Sequence, residues 1–305
     1  ASMIRPVKVL GFPRSGTSLL QRLFATHPQL YCPPETYVFS GCARMIRESS
    51  GEGPDLGMLT GLSFAGFDPD EVLDRVRRFG FDFLNEATAK AGKQSWFEKS
   101  AFDIFDLDEI ETLLSGHCRF VCVVRNPLDV IASMKELTDQ MGQIVPELRP
   151  WIMQHENYYL AWAAAWRDMT NRLLAFHDRQ KDDSLLYRYE DLTTDPVTTL
   201  RRITDFAGVE PFPSVPAPDG AQIGLGDWKV LGTAQVTGGS VARWRKSLPR
   251  SSAKLSLGFV EPLMRQLGYE VPTISAPVTG RERVVQYRRA KGMAQALRDK
   301  GKPTT

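Results

Sequence analysis

The sequence predicts an α/β fold, a doubly wound, mostly parallel central sheet flanked by helices. Two apolar runs and one turn predict it. Phe120-Val121-Cys122-Val123-Val124 is nearly continuous and rich in β-branched residues, as a strand buried on both faces of a parallel sheet requires. Val7-Lys8-Val9-Leu10 is a second strand, and it enters a helix through the turn Gly11 to Gly16. The chain has 305 residues, 42% hydrophobic and 24% charged, enough for a sizeable core.

The elements follow in order. Leu19-Leu20-Gln21-Arg22-Leu23-Phe24 repeats its apolar positions as one helix face does. After the strand at 120–124, Asn126 caps a helix with Pro127 at its first position. Arg125 thereby stands at the carboxyl end of a central strand, where open α/β sheets bind ligands, with Ser133 about two turns into the helix. A helix carrying Trp151, His155, Tyr158 or Tyr159, Trp162 and Trp166 follows; its stripe reads as packing, with His155 at the helix start a candidate auxiliary acid–base group. Ser184 to Leu192 reads as a strand reaching the same sheet edge. Asp195-Pro196 starts a helix that Gly208 ends. Residues 51–67 and 137–155 are less regular and read as acceptor-recognition segments, the second a lid. Residues 3–275 read as one domain and 276–305 as a basic tail, a terminal helix or a frayed end.

The chemistry concentrates in Gly11-Phe12-Pro13-Arg14-Ser15-Gly16-Thr17-Ser18. Strand, glycine-bounded turn and helix are the setting in which backbone N–H groups hold a phosphate. The two glycines have the spacing of a nucleotide-triphosphatase phosphate loop, and Ser18 fills its hydroxyl position. Thr17, however, stands where that loop carries lysine, and Arg14 places a cation inside the turn instead. The pattern suits a phosphate-bearing donor other than ATP. A merely structural turn would not need Pro13, Arg14, Ser15 and two consecutive hydroxyls. Arg125 is suited to bidentate phosphate recognition; its bland alternative is an ion pair with a nearby carboxylate.

These residues resemble sulfotransferases that use 3′-phosphoadenosine 5′-phosphosulfate (PAPS). In that family a Pro-Arg/Lys-Ser-Gly-Thr loop binds the 5′-phosphosulfate, and a strand-end Arg with a Ser eight residues later binds the 3′-phosphate. The resemblance extends through Trp96-Phe97-Glu98-Lys99, Arg188-Tyr189-Glu190-Asp191-Leu192 and Arg243-Trp244-Arg245-Lys246, over residues 7 to 270. It is closer to the tyrosylprotein sulfotransferase-like branch than to the cytosolic small-molecule branch, whose loop has lysine at the Arg14 position. The resemblance implies donor contacts from Arg14, Ser15, Gly16, Thr17, Ser18, Arg125 and Ser133. It places Tyr189 near the adenine and makes Gly226 to Thr233, with Lys229 and Thr233, a late loop closing over the donor. Arg243, Arg245 and Lys246 remain undivided between phosphate ligands and solvated charges. No histidine occupies the segment Glu98-Lys99-Ser100-Ala101-Phe102 where the cytosolic branch has its base. The tyrosylprotein branch implies Glu35 as general base, unless it caps a short helix after Pro33-Pro34. Lys99 would hold the sulfuryl oxygens, or else pair with Glu98 at the surface. His27 resembles a structural position.

The implied reaction is an in-line sulfuryl transfer from PAPS to an acceptor hydroxyl, releasing adenosine 3′,5′-bisphosphate without a metal. The rival readings are an ATP/Mg²⁺-dependent small-molecule kinase and a non-catalytic nucleotide sensor. The acceptor is left open among small molecules, carbohydrates and peptides. No basic patch interleaved with aromatics argues for nucleic acid. No stretch approaches the ~20 apolar residues of a membrane helix, and there is no signal-peptide pattern. Ala1-Ser2 before Met3 looks like a cloning remnant. Cys32, Cys42, Cys118 and Cys122 lack metal or disulfide-framework spacing and read as reduced thiols of a cytoplasmic protein, with a removed N-terminal anchor still compatible. From Gly280 onward eight Lys or Arg face two acidic residues, so the overall net charge of +2 conceals a basic tail.

Overall fold

A computed structural model of the chain describes residues 4–47, 57–142, 144–155, 157–218, 236 and 238–275. Its elements are β1 (Val7–Gly11), α1 (Thr17–Phe24), β2 (Leu30–Tyr31), α2 (Val38–Ile46), α3 (Met58–Phe64), α4 (Pro69–Lys90), β3 (Ser95–Lys99), α5 (Leu107–Leu114), β4 (Arg119–Val124), α6 (Pro127–Met141), α7 (Arg149–Gln154), α8 (Tyr158–Arg179), β5 (Ser184–Arg188), α9 (Tyr189–Thr194), α10 (Pro196–Ala207), α11 (Trp244–Ser247) and α12 (Arg250–Gln266). They fall into two compact units, Ala1–Val124 with Leu173–Val236, and Arg125–Arg172 with Thr237–Thr305.

The first unit holds the sheet. Its strand order is β2-β3-β1-β4-β5, and every pairing is parallel. From β1 the chain builds β2 and β3 on one side, then β4 and β5 on the other. The order therefore reverses at β1, and in open parallel sheets the ligand crevice lies at the carboxyl ends beside such a point. The phosphate loop begins there, and Lys99 closes the neighbouring strand, level with Val9. Gly11 lies so near β4 that a Cβ would come 2.9 Å from the Val123 carbonyl oxygen.

Side chains alternate across the sheet. Val7, Val9, Phe97, Val121, Val123 and Tyr187 pack one face against Leu20, Leu23 and Phe24 of α1 and Leu200 and Ile203 of α10. The Phe24 and Phe97 rings stack at 4.3 Å. Lys8 and Glu98, paired in register, therefore project from the other face. All four cysteines are free and buried, and burial pushes their thiol pKa values up.

Several expectations need correction. The strand expected over Ser184 to Leu192 stops at Arg188, and Tyr189 opens α9, because Asp191 folds back onto the Arg188 backbone N–H and guanidinium. Part of the segment 51–67 is helical: α3 occupies Met58–Phe64, while residues 51–56 lie outside the described residues. The long α4, absent from the expected elements, carries local start signals: Asp68 caps it through the Asp70 N–H at 2.8 Å and Pro69 opens it. The helix expected through Trp151 and Trp166 is two, α7 and α8. His155 sits in the extended link between them and not at a helix start. Among the described residues no helix is long and apolar enough to cross a membrane. The basic tail lies outside the described residues.

The second unit is helical. Asn126 caps α6 by accepting from the Leu128 N–H at 3.0 Å, with Pro127 at the first position as the sequence predicts. Tyr158, Tyr159, Trp162 and Trp166 are buried, so the aromatic stripe packs the interior. In the first turn of α6, Asp129 accepts from the backbone N–H groups of Ala242 (2.8 Å) and Trp244 (2.9 Å). Burial pushes the Asp129 carboxyl pKa up while these bonds and Arg125 oppose the rise. Asp129 thus pins the chain entering α11, where Ala242 sits in the left-handed region at φ 56°. Replacement Asp129→Ala strands both N–H groups beside buried Trp244 and should lower stability by about 2–3 kcal/mol, read as a reduced denaturant midpoint.

Candidate active site

The turn after β1 is built for an anion. Ser15 N–H donates to the Phe12 carbonyl at 3.0 Å, and Arg14 and Gly16 take left-handed conformations at φ 71° and 96°. Such positive φ values turn backbone N–H groups into a concave nest. α1 starts at Thr17 without a side-chain cap, so its first N–H groups keep their donor capacity. Ser15 is 1% exposed, and its Oγ meets no hydrogen-bond partner among the described residues. An orphaned buried hydroxyl is costly, and a phosphate or sulfate oxygen in the nest would accept from it. These residues fit a phosphosulfate group. Tyr189, the first residue of α9, lays its ring on Gly16: a Cβ there would lie 2.1 Å from the Tyr189 Cδ2. Glycine is required for both backbone and space.

Glu35 and Lys99 meet at the end of β3. The Lys99 Nζ lies 2.7 Å from Glu35 Oε1, and their side chains are 1% and 3% exposed. The Ala101 N–H donates to the same oxygen at 2.8 Å, and the Tyr37 hydroxyl donates to Oε2 at 2.9 Å. Glu35 does not cap a helix, since α2 begins three residues later with Tyr37 as its N-cap residue. Nor does Lys99 pair with Glu98, because the alternation of the strand sends the two to opposite faces.

Glu98 has a different partner. Lys8, fully buried in the middle of β1, pairs with both Glu98 and Asp103, which are equally buried. Its ammonium also lies 5.6 Å from the Phe39 ring centroid. Burial works against the Lys8 charge, but Asp103 and Glu98 outweigh it and hold its pKa above the ordinary lysine value. Two carboxylates share this one cation. Burial pushes the Asp103 pKa up, Lys8 pulls it back and the Glu98 charge raises it again, to about 6. The free oxygen of Glu98 accepts from Ser100 Oγ at 2.6 Å and Thr36 Oγ1 at 3.1 Å. Ser100 Oγ in turn accepts from the Tyr37 N–H at 3.1 Å. Thr36 follows Glu35, and Ser100 lies between Lys99 and Ala101. Glu98 therefore clamps the two segments that carry the Glu35 carboxylate and its donors.

The remaining expected site residues divide by location. Thr17 is buried and Ser18 half-buried in the first turn of α1. In the second unit the Arg125 Nη2 donates to the Ser240 carbonyl at 2.8 Å, Ser133 is half-buried on α6, and Arg243 pairs with Glu136 at 2.9 Å. Lys229 and Thr233 lie outside the described residues. The His155 ring packs edge-on against Phe259 at 5.3 Å, and burial lowers its pKa. Lys8, Thr36, Tyr37, Ser100 and Asp103 belong to the site without any sequence motif that marks them. Lys8 within an otherwise apolar strand was the one readable signal, since a cation buried there demands carboxylate partners.

Asp103 predicts a pH effect. An unfolded Asp titrates near ~3.9, whereas burial raises the folded value to about 6. Between these values the folded chain binds more protons than the unfolded one. Its contribution to stability therefore falls as pH rises through this window, by at most about 1.4 kcal/mol per unit. Subtracting the unfolding free energies of Asp103→Asn from those of the unmodified protein should give a difference that changes between about pH 4 and 6 and levels off above about 7.

Residues 6–214 match the profile of the Sulfotransferase family, more than half of the chain. The nodulation protein NoeE of Sinorhizobium fredii (strain NBRC 101917 / NGR234) is 25% identical over 279 residues, 86% of this chain and 65% of that protein. The chain thus spans slightly less than two thirds of that relative. Protein-tyrosine sulfotransferase 1 of Danio rerio is 23% identical over 282 residues, 89% of this chain and 74% of that protein. Among solved structures, the sulfotransferase domain from the curacin biosynthetic pathway superposes with a TM-score of 0.60 at 19% identity, covering 89% of this chain and all of that domain. The α/β fold expected from the sequence is thus a sulfotransferase fold, and the chain belongs to the sulfotransferase family.

Proposed function

We propose that this chain moves a sulfuryl group from PAPS to an acceptor hydroxyl, with Glu35 as the general base. The observation that carries the reading is the buried Glu35 carboxylate, held by Lys99 and the Ala101 N–H at the end of the strand next to the anion-binding turn. PAPS would supply an activated sulfuryl group on a phosphate leaving group. Ser15 Oγ, the backbone of Gly16, Thr17 and Ser18, and Arg14 would hold the phosphosulfate. Tyr189 would flank the adenine. By the family resemblance Arg125 and Ser133 would bind the 3′-phosphate, with Arg243, Lys229 and Thr233 as the counterparts of the family's late loop.

Glu35 would take the acceptor's proton as the oxygen attacks. Lys99, already on Oε1, would keep the carboxylate oriented and stabilise charge on the moving sulfuryl oxygens. Displacement is in line, so positioning and electrostatics carry the rate. Arg14 and Lys99 supply the positive charge, and the reading needs no metal. We take residues 3–275 as one catalytic domain, since the family match runs through residues of both units. The four buried free thiols favour a cytoplasmic setting. The acceptor is a small-molecule, carbohydrate or peptide hydroxyl, and the relative from Danio rerio, named for protein tyrosine, makes a phenolic hydroxyl the first to try.

Calorimetric titration should show adenosine 3′,5′-bisphosphate binding and ATP–Mg²⁺ failing to compete with it. Tight binding of ATP–Mg²⁺ with indifference to the bisphosphate would falsify the donor assignment. Glu35→Gln keeps the shape and removes the base. It should lower turnover at least about a hundredfold with bisphosphate affinity unchanged, measured as sulfate transfer from labelled PAPS.

A further inference from the structure

Tyr37 carries an oddity that the proposed mechanism leaves unused. It is a bulky residue in the left-handed region, φ 51°, where the Cβ of a non-glycine residue is crowded against the backbone. The surroundings enforce it: the Tyr37 N–H donates to Ser100 Oγ, which Glu98 fixes, and the ring stacks on Phe102 at 6.3 Å and 15°. The result is a phenol hydroxyl aimed at Glu35 Oε2, 2.9 Å away. Strain held in place by several contacts is a mark of function.

The chemistry of the carboxylate sharpens the point. Oε1 already accepts from the Lys99 ammonium and the Ala101 N–H. A hydroxyl that delivers its proton to Glu35 must therefore approach Oε2, where the Tyr37 hydroxyl donates. From this contact, and resting on the reading of Glu35 as the base, we infer that Tyr37 occupies the acceptor's seat and determines specificity: its phenol stands where the acceptor hydroxyl docks, and acceptors enter by displacing it. The half-buried ring of Phe102, stacked on that of Tyr37, borders the seat.

The left-handed backbone supplies a direct test. Glycine adopts φ 51° without strain, so Tyr37→Gly keeps the backbone and removes the phenol. Phenol added to this variant has a seat of its own size and shape. In the transfer, the phenol O–H proton passes to Glu35 Oε2 and an O–S bond forms to the sulfuryl sulfur. The S–O bond to the donor's 5′-phosphate breaks, and its electron pair leaves with adenosine 3′,5′-bisphosphate. Two readouts apply. Phenol should raise the unfolding temperature of Tyr37→Gly but not of the unmodified protein, because it binds the folded variant. With PAPS, Tyr37→Gly should form phenyl sulfate faster than the unmodified protein by about tenfold, the equivalent of one competing hydrogen bond removed. The gain should vanish in the double variant Glu35→Gln/Tyr37→Gly, which still binds phenol. A Tyr37→Gly protein that binds adenosine 3′,5′-bisphosphate yet shows neither phenol stabilisation nor faster sulfation overturns the inference. If Tyr37→Gly does not fold, Tyr37→Phe decides with water as acceptor, followed by the rate of bisphosphate release. Release of bisphosphate from PAPS must then rise once the hydroxyl leaves Oε2, and an unchanged rate overturns the inference. Failure of the unmodified protein to bind the bisphosphate marks instead the failure of the PAPS reading.

Discussion

A lysine ammonium with no access to water, inserted into the middle of a parallel sheet, governs the arrangement of the first unit's site. Lys8 could not stay charged there without Glu98 and Asp103, and neither carboxylate could stay buried without Lys8. Removing one partner of such a pair costs about 3–5 kcal/mol, because a buried charge is left uncompensated. Replacing buried ionic groups by well-packed hydrophobic residues is often neutral or stabilising, so stability alone is a weak reason for the network. Its position offers a better one. Glu98 spends one oxygen on Lys8 and the other on Thr36 and Ser100, the hydroxyl residues adjoining Glu35, Lys99 and Ala101. Charge pairing on one face of β1 thereby reaches the Glu35–Lys99 pair through two side-chain hydroxyls.

In the first unit the unusual backbone conformations stand beside the same chemistry. Among the described residues, three non-glycine residues have positive φ: Arg14 in the anion-binding turn, Tyr37 beside Glu35, and Ala242 in the segment held by Asp129. Each is held by hydrogen-bonded or packed surroundings, as residues in sparsely populated conformations must be. In the turn, alternation of Arg14 and Gly16 into the left-handed region aims N–H groups inward, and the ring of Tyr189 closes over the glycine. At Glu35 the same device aims a phenol. In the turn, rigid placement of donors before any ligand arrives is what electrostatic catalysis requires, since no reorganisation is left for the reacting state; the phenol instead holds a place that an acceptor takes over.

Family and fold bear unequally on function. The sulfotransferase fold provides the switch point at β1 and the turn that follows it, features shared by many chemistries of open α/β sheets. The donor half of the proposed site is built from that shared frame. The acceptor half depends on local features of this chain: the run Glu35-Thr36-Tyr37, the turn Ser100-Ala101-Phe102, and the aromatic rings that border them.

Much of the frame was legible in the sequence. Local rules sufficed for the apolar runs that become β1 and β4, the Asn126-Pro127 start of α6, the Asp195 cap and Gly208 end of α10, and the glycine-bounded turn, because each is decided by residues within a few positions of one another. The sequence was misleading where a nearby contact outweighed periodicity, as at Tyr189, where Asp191 caps a new helix instead of letting the strand continue. It was silent where contacts span long separations. Lys8 meets Glu98 90 positions away, and Lys99 meets Glu35 across 64, so neither pairing leaves a local pattern. Motif resemblance named Glu35 and Lys99, but only the parallel register of β1 with β3 sends Glu98 to the buried lysine and leaves Lys99 for Glu35. The strand alternation that separates those two neighbours is written in the chain; which partner waits on each face was decided by the folded sheet.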